Sequence, residues 1–431
     1  MDDSIEQFDN ISMDDEIEDD AEVVSFTDES SQDQATVETE RLDEKTDPVS
    51  LYLRDIGSTP LLTREREVQL GLDFTAPRDD FESDLGDHSA DHVISLAPAF
   101  YGSWRLSGSD APDLAFGLGL DTESWYLVDW DTALFPARFL TRRQELTLFD
   151  LHPVIAWGLS SRWSVGAGVH YYRGTLGQGE NRRVLVDGAA RRFTVEVERL
   201  TEATIDGWSV DLALHYATED RGWGLVVDSG GELDGDGEAT YRPRDVPADP
   251  GLESNVEERF VPGEALLSFE IPWTARTGFW WAPYPELRLE ADLVWSGWSV
   301  VDTTSITIRP DPLREASETE EIRIRSWDDT LSVHLGAEGD LTGGWLLSGG
   351  LAWVPSPVPE ASLEPGFPRG DSIVYALGVA YQAGPYRFDL GYSFHDFDSV
   401  TVTGQIAEDP GLESTYGARS QVFSFSLGWS R

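Results

Sequence analysis

Phe423-Ser424-Phe425-Ser426-Leu427-Gly428-Trp429, close to the end of the chain, is the stretch whose reading decides the fold. Apolar residues take every second position, with serine or glycine between them. An extended chain therefore presents Phe423, Phe425, Leu427 and Trp429 on one face and nothing larger than serine on the other. The same period runs upstream. Tyr386, Phe388, Leu390, Tyr392 and Phe394 alternate with Arg387, Asp389, Gly391, Ser393 and His395. Leu287, Leu289, Ala291, Leu293 and Trp295 alternate with Arg288, Glu290, Asp292, Val294 and Ser296, and Trp208 to Tyr216 repeats the pattern with Ser209, Asp211, Ala213 and His215 between. These are strands with one apolar face and one face that accepts full charges.

Soluble sandwiches also alternate, but their apolar faces meet across a single core. Here the apolar segments carry aromatic residues at both ends, as in Trp163 with Tyr171, Trp345 with Trp353, and Tyr375 with Tyr381. Two aromatic girdles about ten residues apart are the mark of a strand crossing a bilayer. Connections alternate too. Ser160-Ser161, Thr342-Gly343-Gly344 and Ala383-Gly384-Pro385 read as tight turns, whereas 121 to 143, 229 to 262, 354 to 371 and 398 to 419 read as long polar loops. The expected fold is all-β: an antiparallel transmembrane β-barrel of about 12–14 strands over residues 73–431.

Composition excludes several alternatives. A net charge of −49 over 431 residues leaves no basic face for nucleic acid. The absence of cysteine removes disulfides and thiolate metal sites. The longest uncharged stretch, Leu341 to Pro359, is broken by Gly343-Gly344 and three prolines, so it does not make a spanning helix.

The N-terminal part has another character. Residues 1–45 hold 18 Asp or Glu against Arg41 and Lys45, and are expected to be a disordered acidic tail. Residues 46–72 then read as a short helical segment. Asp47-Pro48 is an N-cap followed by proline, Val49, Tyr52, Leu53 and Ile56 share one face, and a second helix start stands at Thr63, with Glu65, Val68 and Leu70 behind it. Met1-Asp2-Asp3-Ser4 lacks the basic and apolar regions of a secretory signal, from which a chain starting this way is expected not to be exported.

Candidate site residues lie on the charged faces. Arg288 and Arg387, both inward by parity, could grip a carboxylate in bidentate fashion, with inter-strand ion pairs to Glu290 and Asp389 as the simpler alternative. His170, His215, His334 and His395 also take the inward parity and read as polar lumen lining. No spacing among them is diagnostic of catalysis or of a metal, so neither catalytic residues nor a cofactor is expected. Asp234-Gly235-Asp236-Gly237-Glu238 lacks the closing ligand of a calcium loop and reads as a hairpin turn, and Gly174 to Gly179 reads as a loop without the helix a phosphate cradle needs.

Two resemblances add to these readings. The segment Leu114-Ala115-Phe116-Gly117-Leu118-Gly119-Leu120 with Trp125 and Trp130, then Leu151-His152-Pro153-Val154 with Trp157, Trp163-Ser164-Val165-Gly166, Ala291-Asp292-Leu293-Val294-Trp295, and Gly349-Gly350-Leu351-Ala352-Trp353 with Ser356-Pro357, resembles the long-chain fatty acid transporter (FadL) and aromatic-hydrocarbon channel family over residues 90–431. The resemblance implies an outer-membrane barrel in a Gram-negative bacterium. It would carry fatty acids or other hydrophobic compounds without nucleotide, release them sideways into lipid, and make Arg288, Arg387, His215 and His395 candidate ligand contacts. That family's signal peptide, Asn-Pro-Ala hatch and first strand are not visible, which leads to the expectation of an incomplete barrel with an unpaired edge. The string Thr46-Asp47-Pro48-Val49-Ser50-Leu51-Tyr52-Leu53-Arg54-Asp55-Ile56-Gly57 resembles region 1.2 of bacterial primary sigma factors. It implies a fusion, with RNA polymerase core as a partner of residues 46–71 through Tyr52, Leu53, Arg54 and Ile56.

Overall fold

The computed structural model describes residues 66–91, 94–106, 113–130, 135–407 and 411–430. In chain order the first strands are β1 (Arg66–Ser83), β2 (His88–Ser89), β3 (Ser95–Arg105), β4 (Leu114–Asp129), β5 (Arg143–Gly158) and β6 (Trp163–Asp187). Then come β7 (Arg192–Ala217), β8 (Arg221–Asp228), β9 (Gly231–Arg244), helix α1 (Pro250–Arg259), β10 (Gly263–Ile271), β11 (Thr274–Tyr284) and β12 (Leu287–Ser296). β13 (Thr303–Arg309), β14 (Thr319–Ile324), β15 (Thr330–Asp340), β16 (Trp345–Val354), β17 (Ser372–Ala383), β18 (Tyr386–Thr403) and β19 (Glu413–Ser430) complete the chain.

Antiparallel pairing joins β1 to β3, then β4 to β8 in succession, then β11, β12, and β15 to β19. β19 returns to β1 in unbroken register from Glu67↔Ser430 to Ser83↔Ser414. Fourteen strands thus close on themselves, and closure leaves no strand of the wall without a neighbour on either side.

Closure corrects two expectations. The barrel has no missing strand, and residues 66–72 are not the second helix. Val68, Leu70, Leu72 and Phe74 alternate with Gln69, Gly71, Asp73 and Thr75, so outward Leu70 is half exposed while Gln69 is buried against Ser426. Two apolar residues spaced by two suit a strand as well as the flank of a helix. The ladders to β3 and β19 decide between them, because they satisfy the N–H and C=O groups on both sides of β1. The expected acidic tail and the expected helix around Tyr52 lie outside the described residues.

One rim carries short turns at 159–162, 218–220, 285–286, 341–344 and 384–385. Gly343 and Gly344 both take positive φ there, which residues with a Cβ seldom adopt. Along the wall the outward positions form the apolar belt, including Leu118, Leu120, Ile155, Leu212, Leu293, Leu351, Leu377 and Phe425. Its aromatic ends pair across strands: Trp163 packs on Tyr216 and Trp345 on Tyr381 at the short-turn rim, while Tyr171 packs on Trp208 at the other.

The long connections hold more structure than the sequence suggests. Strands β4, β6, β7, β18 and β19 run beyond the belt, and residues 231–244 and 250–259 are β9 and α1 instead of loop. Above the belt β7 also pairs with β9, β9 with β10, β10 with β13, and β13 with β14. The Asp-Gly run lies in the middle of β9, and Gly174 to Gly179 in the middle of β6. Those glycines serve close strand packing. A Cβ at Gly237 would stand 1.9 Å from the Glu202 carbonyl oxygen, and one at Gly174 1.9 Å from that of Thr147. A core of Val184, Val195, Val197, Tyr241, Leu252, Ala265 and Ile308 fills this outer sheet beneath α1. A second core, with Phe81, Val128, Trp130, Phe135, Ile406 and Tyr416, caps the strands on the other side.

Candidate functional site

Parity fixes which side chains enter the lumen. Along β18, Phe388 and Leu390 point out and are exposed, so Arg387 and Asp389 point in and are buried. Arg387 Nε donates to Asp389 Oδ1 at 2.7 Å, and Asp389 Oδ2 accepts from Ser426 Oγ at 2.9 Å. On β12, Arg288 pairs with Glu290 at 2.6 Å and its guanidinium lies over the Trp280 ring. The expected ion pairs therefore form within one strand and not between strands, because residues i and i+2 share a face. Two of the candidate residues do converge. Glu338 on β15 stands opposite Arg288 in register and within 4.0 Å of Arg387. This network forms an ionic floor near the short-turn rim.

His215 sits on β7, two residues from its end at that same rim, whereas His395 lies toward the opposite end of β18 and bonds Ser393 Oγ at 3.2 Å. The four candidates thus mark two ends of the lumen and do not form one pocket. His334 is buried beside Ser332, 3.0 Å from its hydroxyl. His170 is the exception among the inward histidines. It stacks on His152 and bonds Asp150, a grouping that parity could have shown, since Asp150, His152, Ser209 and Asp211 all fall on inward positions.

Above the floor the lumen widens into a cavity of about 510 Å³. Its lining mixes Ala97, Ala99, Val294, Val354, Ala376 and Val422 with Asp73, Tyr101, Asp121, Arg276 and His334. The Tyr101 hydroxyl donates to Asp121. The cavity meets the wall at a discontinuity. The β3–β4 ladder ends at Phe100↔Leu120, although β3 continues up to Ser95 and β4 to Asp129. In its place the Thr122 hydroxyl donates to the Pro98 carbonyl oxygen at 3.2 Å. Pro98 has no N–H to continue the ladder, and β4 bulges against β5 between Thr122 and Ser124. Pro98 and Thr122 both line the cavity, so its boundary there is a seam without backbone ladder bonds.

The outer cap is held by charge. Buried Arg199 lies 2.7 Å from Glu180 and 2.6 Å from Glu321, and Arg323 joins Glu180 to Glu364. Burial works to raise the Glu321 carboxyl, but the hydrogen bond and charge of Arg199, with Arg182 and Arg314, outweigh it and hold the group down at about 2. The same forces keep Arg199 charged well above its ordinary range. A second cavity of about 720 Å³ opens among Leu140, Arg182, Arg323, Leu363 and Thr403 in this cap.

Comparison with known proteins agrees with this architecture. A crystal structure of a Pseudomonas aeruginosa FadL homologue superposes with a TM-score of 0.73 at 16% identity, covering 90% of this chain and 95% of that one. The P. putida toluene transporter TodX gives 0.64 at 15% identity, covering 87% and 95%. The CymD monoaromatic hydrocarbon channel gives 0.61 at 16%, covering 86% and 90%. The curated proteins give no match. Residues 47–72 match the profile of Sigma-70 factor, region 1.2, whose end, from Arg66 to Leu72, is here part of strand β1. Tyr52, Leu53, Arg54 and Ile56 lie outside the described residues. Residues 61–430 match the profile of the outer membrane protein transport proteins (OMPP1/FadL/TodX), a family of transporters and not of enzymes, and on that match, over most of its length, the chain belongs to this family.

Proposed function

We propose that the protein is a passive outer-membrane channel for hydrophobic small molecules, which leave its lumen sideways through the β3–β4 seam. The observation that carries this reading is the cavity that reaches the wall where the ladder between Pro98 and Thr122 is replaced by a side-chain bond. Below that cavity the floor is packed with Arg288, Glu290, Glu338, Arg387 and Asp389. An apolar solute gains nothing by passing among paired charges that it cannot solvate, whereas the seam faces lipid. Arg288, Arg387 and His215 then act as a barrier that turns the ligand outward, and His395 lines the path above them.

The favoured cargo is neutral. Asp73 and Asp121 face the cavity with Arg276 as its lining cation, a balance that disfavours an ionised fatty-acid head group relative to a toluene-like hydrocarbon. Full-length protein in lipid vesicles, carrying Pro98→Cys with Thr122→Cys, tests both points, since the native chain has no cysteine. Oxidation should slow toluene transfer at least tenfold and dithiothreitol should restore it, with oleate transferred more slowly than toluene throughout. Unchanged transfer after complete cross-linking would rule out the lateral route; faster oleate transfer would reverse the cargo assignment.

A further inference from the structure

Five titratable side chains from four neighbouring strands meet on the lumen wall, outside both the cavity and the floor. Asp150 and His152 come from β5, His170 from β6, Asp211 from β7 and Asp228 from β8. The two imidazole rings stack with centroids 3.7 Å apart. Asp211 Oδ2 lies 2.8 Å from His152 Nε2 and 3.5 Å from His170 Nε2. Asp228 Oδ2 is 3.4 Å from His170 Nε2, and Asp150 Oδ2 is 2.7 Å from His170 Nδ1. One ligand atom from each of Asp150, His152 and His170 falls within 4.8 Å of the others.

Three observations go beyond a hydrogen-bonded patch. The first is charge. Among the described residues the ion pairs of these three aspartates are all with the two imidazoles, so even full protonation of both rings leaves a negative charge uncompensated on the wall. The second is an unused acceptor. Asp150 is 6% exposed, yet its Oδ1 is buried without a hydrogen-bond partner, a cost that a bound cation would remove. The third is reserved space. A Cβ on Gly168 would stand 2.1 Å from Asp211 Oδ2 and 2.2 Å from His152 Nε2, so any other residue there would crowd the cluster. The backbone is open at the same place. The β5–β6 ladder runs to Leu151↔Tyr171 and resumes at Val154↔Gly168, and Pro153 has no N–H to give between them.

We propose that Asp150, His152 and His170 bind one divalent transition-metal ion of the zinc(II) class, with Asp211 and Asp228 beside them orienting the imidazoles and balancing charge. Two imidazole nitrogens with carboxylate oxygens suit such an ion, whereas magnesium and calcium take oxygen ligands. The bound ion ties β5 to β6 where the ladder is interrupted.

The test uses full-length protein folded in detergent, stripped with chelator and titrated calorimetrically with zinc chloride and, separately, magnesium chloride. One zinc should bind per chain at micromolar concentration or below, magnesium should not compete, and zinc should raise the temperature at which the folded gel band converts to the unfolded one. His152→Ala combined with His170→Ala should weaken zinc binding at least tenfold, and Gly168→Ala should weaken it with every ligand still in place. Unheated gel mobility confirms that each variant is folded. The acidic residues before the barrel are the same in every variant, so the difference between variants reports the wall site alone. A folded native chain that binds no zinc, a double variant that binds as the native chain does, or equal affinity for magnesium would overturn the proposal.

Discussion

Arg199 shows what a single residue contributes in this molecule. It is buried on β7 above the lipid belt, with Glu180 and Glu321 both in contact. Removing one member of a buried charge group leaves the others unpaired in a poor solvent, which typically costs about 3–5 kcal/mol. Arg199→Met should therefore loosen the outer sheet without unfolding the barrel, read as faster hydrogen exchange of β9 and β10 amides while β16 and β17 stay protected. The same network sets a pH response. Glu321 is held at about 2 in the fold against an ordinary value of 4.5, so the unfolded state takes up its proton first as pH falls. Its contribution is complete above pH 4.5 and is lost progressively toward pH 2. Proteolysis of the outer sheet should be unchanged between pH 7 and 5 and accelerate below 4.5; loss of protection already between pH 7 and 5 would assign the response to other groups.

At the scale of elements, β1 is the strand on which closure depends. Leu72 stands between Pro98 of β3 and Phe425 of β19. Pro98 has no N–H to exchange, which leaves the Leu72 N–H to the closing ladder. Leu72→Pro should abolish the compact unheated band on gels, because an unsatisfied carbonyl of β19 would then face lipid. Native Pro77 in the same strand is tolerated, since β3 ends opposite Thr75 and leaves that side of β1 unladdered at residue 77. In β9 the prediction concerns space: Gly237→Val places atoms on the Glu202 carbonyl, and should disrupt β9 pairing while the fourteen-strand wall persists. Loss of the folded gel band in that variant would show that the outer sheet and the barrel fold as one unit.

For the whole molecule, the belt defines the solvent that the fold requires. Trp157, Trp163, Trp208, Trp281, Trp345 and Trp353 are all exposed on its outer surface, while Trp130 is buried in the cap with its indole N–H on the Pro365 carbonyl. Side chains of this size are stable outside only against lipid. In vesicles with bromine on the acyl chains, most of the tryptophan emission should be quenched and a residual component, reduced in Trp130→Phe, should remain. Emission that bromolipid leaves unchanged would place the belt away from the bilayer.

The alternation of Phe423, Phe425, Leu427 and Trp429, repeated from Trp163 onward, determined a membrane barrel and its inward and outward faces, because side chains on an extended strand obey a period of two whatever their neighbours are. It also placed Arg288, Arg387, His215 and His395 in the lumen. Period alone says nothing about which strand lies beside which. Closure of β1 on β19, the convergence of both arginines near Glu338, and the meeting of Asp150, His152, His170 and Asp211 depend on inter-strand register. The glycine runs at 174–179 and 234–238 misled for the same reason. Their local chemistry suits a turn, but what selects glycine there is a carbonyl of the neighbouring strand, far away in sequence and brought close only by the tertiary structure.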